Sequence, residues 1–188
     1  MTLSGSITRT TTTASDGSYS FPNIDGGASF TVTASKDGYL LLPPIQIFND
    51  LAADTVADFR GRQLPLLLAL PNSDRAVALE LTQFVPEPFF LTTTLLTDGR
   101  NRTRIMLFGT TLGLLPGEGV EAVTAEAEDA KHVRYPLGVE FMAALPELPG
   151  VTQIVIRLNG DLAGAGDVLV SVTVHGLTSN KVRIAIEN

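Results

Sequence analysis

Short runs in which apolar and polar residues alternate cover the first third of the chain and predict strands of an antiparallel sheet. Residues 18–21 place Tyr19 and Phe21 on one face, and residues 30–32 repeat the pattern. Asp-Gly pairs separate these runs and are typical of tight turns. We therefore expect an all-β domain over residues 1–60.

Residues 61–75 contain the apolar run LPLLLALP, unlike the polar composition of an ordinary linker. An exposed run of this kind would aggregate, so we expect it to be paired or covered. We interpret it either as an apolar linker or as a strand donated to another molecule. The candidate strand-exchange residues are Leu64, Leu66, Leu68 and Leu70 on one face and Leu67 on the other.

Residues 76–188 also alternate with a period of two. The run from Val168 to Val174 is the clearest strand, because its four valines share one face. Residues 120–130 are rich in alanine and glutamate, which favour helices, but their alternation favours a strand. About seven strands without a long helix predict an immunoglobulin-like sandwich. The expected fold is therefore all-β, with two immunoglobulin-like antiparallel β-sandwich domains in tandem.

Composition narrows the range of partners. The 188 residues carry a net charge of -7 with no clustered lysine and arginine, so we expect no nucleic acid partner. No apolar run reaches the roughly 18 residues that a membrane helix needs, and we expect no membrane insertion. Without cysteine, disulfides and thiolate metal sites cannot form.

The pattern of reactive residues gives no indication of an enzyme. The two histidines, His132 and His175, lie in separate segments, and we expect a hairpin position for the first and a turn position for the second. The aspartates next to glycine fit turns better than a calcium loop, so we expect no metal and no cofactor. Candidate glycosylation sites are the sequon at Asn101 and the hydroxyl-rich run Thr10, Thr11, Thr12 and Thr13.

The first domain resembles the carboxypeptidase regulatory-like and Cna-B-type β-sandwich modules of bacterial surface proteins. The residues that carry this resemblance are Asp16, Gly17, Tyr19, Phe21, Gly27, Phe30, Val32, Ala34, Gly38 and Tyr39. The second half is similar to an uncharacterised C-terminal β-domain of exported acidobacterial-type proteins, through segments such as RTRIMLFGTTL and YPLGVEF. Both resemblances imply an extracellular location, with any targeting segment upstream of Met1, and neither implies catalysis.

Modules of the first type usually begin with one further strand, which has no counterpart here. An open sheet edge would result, and we expect Leu3 and Ile7 to border it. Three explanations stay open: a strand inserted from a neighbouring copy, residues upstream of Met1, or a domain that closes differently.

We accordingly expect a structural subunit of an extracellular bacterial fibre or surface appendage, assembled head-to-tail with other copies of itself by β-strand complementation. The alternatives are a passive spacer or adhesive module of a larger secreted surface protein, and a carbohydrate-binding accessory module.

Overall fold

The protein is all-β, as the sequence predicts. Its structure, a computed structural model, describes residues 1–93 and 102–187. The chain divides into two compact units, residues 1–63 and residues 64–188. Residues 64–75, which the sequence assigns to a linker or donor strand, therefore belong to the second unit.

The first unit contains six short strands arranged as a four-stranded sheet and a separate two-stranded ribbon. The strands are β1 (Thr2–Gly5), β2 (Arg9–Thr10), β3 (Phe30–Thr33), β4 (Tyr39–Leu42), β5 (Ile45–Phe48) and β6 (Arg60–Gln63). The order in the sheet is β2-β1-β3-β5, all antiparallel, and β4 pairs with β6. Its core has three buried side chains, Leu3, Phe30 and Val32, ringed by half-buried ones.

Two segments of the first unit that alternate like strands have no strand partner. In residues 18–21 the aromatic side chains are half-buried and the serines exposed, and residues 57–59 show the same alternation. Neither segment belongs to a sheet, although residues 60–63 continue into β6. The sequence predicted the face of Tyr19 and Phe21 correctly, but the ladder that it implied is absent from the described residues.

The second unit contains ten strands in one continuous sheet. They are β7 (Leu66–Leu67), β8 (Ala78–Glu80), β9 (Phe89–Phe90), β10 (Arg104–Thr110), β11 (Val123–Glu128), β12 (Arg134–Ala144), β13 (Val151–Arg157), β14 (Asp167–Val174), β15 (Leu177–Thr178) and β16 (Val182–Glu187). Short 3-10 helices span Val120–Ala122 and Gly160–Leu162. The main order is β7-β10-β13-β12-β11-β14-β16-β9, with β8 beside β10 and β15 beside β14.

This sheet curls because individual strands change partners along their length. The first part of β12 pairs with β11 up to Leu137, and the remainder pairs with β13 from Gly138 onward. A register shift between Val139 and Phe141 marks the bend, as bulges commonly do. The inner face of the curl holds the main core, including Ile105, Ile154 and the valines of β14.

The structure does not confirm the immunoglobulin-like sandwich arrangement, because the second unit is a curled half-barrel sheet instead of two separate facing sheets. Several local predictions are confirmed. Residues 123–128 form a strand, and all four valines of β14 are buried. His175 occupies the turn after β14, where both it and Gly176 have positive φ.

Candidate functional site

The largest concave feature among the described residues is a cleft of about 830 Å³ in the first unit. Two chain segments, residues 17–26 and residues 51–58, form its walls. Three buried side chains of the sheet, Leu3, Phe30 and Val32, contribute an apolar floor. The cleft thus exposes one side of a small core that its own chain covers incompletely.

Backbone hydrogen bonds join the two walls at one end only. The amide of Gly27 donates to the carbonyl of Leu51 at 2.9 Å, and the amide of Leu51 donates to Ala28 at 2.9 Å. Beyond that point, in the part of the chain that the structure describes, the amides of residues 19–24 and 52–59 have no hydrogen-bond partner. Both walls therefore present free backbone donors, as edge strands do.

A tyrosine side chain bridges the open part of the cleft. The Tyr19 hydroxyl donates to the carbonyl oxygen of Ala57 at 2.6 Å, and its ring meets Phe21 edge-on at 5.9 Å between centroids. Burial raises the pKa of Tyr19, and the charge of Asp58 raises this pKa further. The hydroxyl consequently stays protonated, and remains a donor, throughout the neutral range.

The Asp-Gly turn at the start of the first wall is explained by its own hydrogen bonds. The amide of Ser18 donates to Asp16 Oδ1 at 2.9 Å and its hydroxyl donates at 2.7 Å. These bonds from Ser18 lower the pKa of Asp16. The role of this aspartate is therefore to shape the turn.

The expected open edge lies elsewhere in the first unit than the sequence placed it. Leu3 sits on β1, which is paired with β2 on one side and β3 on the other. Ile7 lies in the connection between β1 and β2 and packs against the core. Because β1 already has both neighbours, the unpaired backbone is found on the cleft walls and not beside Leu3.

The strand-exchange candidates are paired within the chain. Leu67 and Leu66 of β7 lie opposite Gly109 and Thr110 of β10, and Leu67 is 1% exposed. The Leu68 amide donates to Phe108, and the Leu70 amide donates to Arg75, both at 2.8 Å. Leu64 and Leu68 are half-buried, whereas Leu66 and Leu70 are exposed.

An asparagine far along the chain holds this segment in place. Asn180 accepts the amide of Leu67 at 2.7 Å and donates to its carbonyl at 3.1 Å, as a neighbouring strand would. A methyl group on Gly109 would lie 2.7 Å from the carbonyl oxygen of Leu66, so glycine allows the close approach. The sequence contained the signal of the apolar run but nothing that identified Asn180 as its partner.

The candidate glycosylation sites divide in the same way. Asn101 lies outside the described residues. Thr10 is on β2, Thr12 and Thr13 are exposed, and Thr11 is half-buried with its amide bonded to Met1. Modification at these hydroxyls stays a prediction.

Charged side chains of the second unit cluster around Glu128, which is buried beneath its partners. Lys181 Nζ lies 2.7 Å and His132 Nδ1 2.8 Å from its carboxylate, and Arg134 lies at 3.6 Å. The hydrogen bond from Lys181, followed by that from His132, lowers the pKa of Glu128 to about 2. The imidazole of His132 is 86% exposed, in keeping with the hairpin position expected for it. The sequence missed the burial of Glu128 because alternation places its side chain on the outer face.

The second histidine belongs to another pair. His175 Nε2 lies 2.8 Å from Glu118, and this hydrogen bond lowers the pKa of Glu118 together with the amide of Leu115. Each histidine thus contacts a single carboxylate in a different part of the unit. Among residues 1–93 and 102–187, no three acidic or histidine side chains converge in a way that could hold a metal ion.

No protein-family model, curated protein or solved structure matches this chain. Within the described ranges, none of the helices has the length and apolar character needed to cross a membrane.

Proposed function

We propose that this chain is a passive, non-catalytic spacer module of a larger extracellular bacterial surface protein. The resemblances of both halves to modules of exported proteins support the location, and the all-β fold is compatible with it. In this proposal the first unit is an incomplete β-sandwich, and the curled sheet of the second unit replaces the two facing sheets of an immunoglobulin-like sandwich.

The observation that carries the proposal is the way the second unit secures its last strand. Arg75 lies parallel to Arg183 of β16, with the Ala76 amide donating to Arg183 at 2.8 Å and the Arg183 amide donating to Asp74 at 2.6 Å. β9 is also parallel to β16. When parallel neighbours are pulled from opposite ends, they slide past each other and their bonds share the load.

Ion pairs reinforce this arrangement. Arg75 forms a bidentate pair with Asp167, at 2.9 and 2.8 Å, and approaches Glu87 at 3.3 Å. Arg183 binds Asp74 through two nitrogens, at 2.9 and 2.8 Å. The pKa of Arg75 is raised by its bond to Asp167, so the guanidinium stays charged. These contacts suit a module that must resist tension between its neighbours.

The fibre alternative is less favoured in the form that the sequence suggested. Residues 64–70 could serve as a donor only after leaving β10 and breaking the bonds from Leu67 and Leu68 to Asn180 and Phe108. A donor strand gains little if it loses as many hydrogen bonds as it forms. A carbohydrate-binding role would use exposed aromatic rings, and Phe84 and Phe90 are exposed; a glycan array tests that alternative.

Single-molecule force spectroscopy on the full chain between reference domains tests the spacer proposal. We expect two unfolding events, with the second unit opening at the higher force. The Arg75→Ala variant should lower that force, whereas Arg134→Ala, which removes an ion-paired arginine from β12, should leave it unchanged. A second unit that unfolds at the same low force as the first, with no effect of Arg75→Ala, would refute the proposal.

A further inference from the structure

We propose that the cleft of the first unit binds one extended β-strand from another polypeptide, which pairs with the backbones of both walls. This inference goes beyond the spacer function and does not depend on it. It names an acceptor site and the chemistry of the segment that fits it.

The two walls already have the conformation of strands. Residues 18–21 and 57–59 each alternate exposed with half-buried side chains, which requires extended backbone. Their amides have no partner within the described residues. Two extended segments with free donors, facing one cleft, form a template for β-strand addition.

The spacing of the walls suits one inserted strand. Neighbouring strands lie about 4.8 Å apart when their backbones bond directly, so a strand between two walls requires about twice that distance. Here the walls are bridged by the whole side chain of Tyr19, which reaches the carbonyl of Ala57. Direct backbone bonds appear only at the closed end, where Gly27 and Ala28 meet Leu51.

The lining defines which strand would fit. The floor formed by Leu3, Phe30 and Val32 is apolar, so every second residue of the strand must be apolar. Asp54 and Asp58 are the only charged residues among those that line the cleft. Charge complementarity therefore calls for a lysine or arginine in the bound strand.

The donor segment suggested by the sequence does not meet these requirements. Residues 64–70 carry no charge to match Asp54 and Asp58, and Leu67 and Leu68 are bonded inside the second unit. We accordingly assign the cleft to a strand of a different protein.

Titration of the full chain with synthetic peptides, followed by amide resonances, tests the assignment. The probes are eight-residue peptides of alternating valine and threonine with lysine at each end. We expect the amides of Ser20, Phe21 and Ala57 to shift and to become protected from hydrogen exchange. Peptide at 100 times its Kd should raise the melting temperature of the first unit by on the order of 10 °C.

Three controls separate strand pairing from apolar adsorption. Peptides with alternate amides N-methylated keep their side chains but lose donors on one edge, and should bind at least tenfold more weakly. A central proline should act similarly, because it lacks an amide. The Asp54→Asn and Asp58→Asn variants, whose side chains are exposed, should weaken binding most at low salt.

The proposal fails if none of the alternating peptides protects the wall amides at millimolar concentration. It fails equally if N-methylated peptides bind as well as the parent, or if the shifts map to β4, β5 or β6. Shifts at the walls that appear without peptide, as protein concentration rises, would show that a second copy is the occupant and would also overturn it.

Discussion

The Asn180→Ala variant probes whether residues 64–70 are an integral strand of the second unit. In the native chain the Asn180 amide satisfies both the donor and the acceptor of Leu67, at 2.7 and 3.1 Å. Leu67 is 1% exposed, so truncation leaves two backbone groups without protein partners in a nearly closed position.

The cost follows from the two groups and from the access of water. A buried group left unsatisfied costs about 1–3 kcal/mol, which sets an upper range of about 2–6 kcal/mol for the pair. Asn180 itself is exposed, so water can occupy the space that its side chain leaves. We therefore expect the lower part of this range, about 1–3 kcal/mol of lost unfolding free energy in the second unit.

Urea denaturation followed by near-ultraviolet circular dichroism and by amide exchange measures this loss. Asn159→Ala is the matched control, because Asn159 also makes two bonds, to Asp161 and Pro136, but both are accessible to solvent. We expect less than about 1 kcal/mol for the control. Equal effects of the two variants, or none for Asn180→Ala, would refute the view that this asparagine holds β7.

Three further predictions concern the strand contact, the charged cluster and the cleft. The Gly109→Ala variant should destabilise the second unit by about 1–3 kcal/mol in urea titrations, because the added methyl meets backbone, whereas Gly113→Ala, with open space around it, should change little; the reverse order would contradict the packing. The lowered pKa of Glu128 means that its contribution to stability is present above about pH 4.5 and is lost as the pH falls toward 2; denaturation midpoints across that window should therefore drop in the native chain and drop less in Glu128→Gln, and parallel curves would count against the cluster. The Tyr19→Phe variant should lower the melting temperature of the first unit by roughly 4–8 °C through the loss of about 1 kcal/mol, while Tyr39→Phe, whose hydroxyl has no hydrogen bond among the described residues, should leave it unchanged; scanning calorimetry of both variants decides this.

The sequence alone determined the local conformation along most of the chain. Period-two alternation predicted β14 and the strand at residues 123–128, and the His-Gly pair predicted the turn after β14. These features depend on neighbouring residues, since alternation selects a face and positive φ selects glycine or a tolerant residue. The faces of Tyr19 and Phe21 were predictable for the same reason.

Tertiary structure decided which strand partners which. Nothing near Leu67 in the sequence indicates that Asn180, 113 residues away, completes its hydrogen bonds. The burial of Glu128 depends on Lys181, which arrives from another strand. The walls of the cleft are strand-like by sequence yet unpaired in the structure, because a β-strand, unlike a helix, draws its backbone hydrogen bonds from residues that its own sequence does not contain.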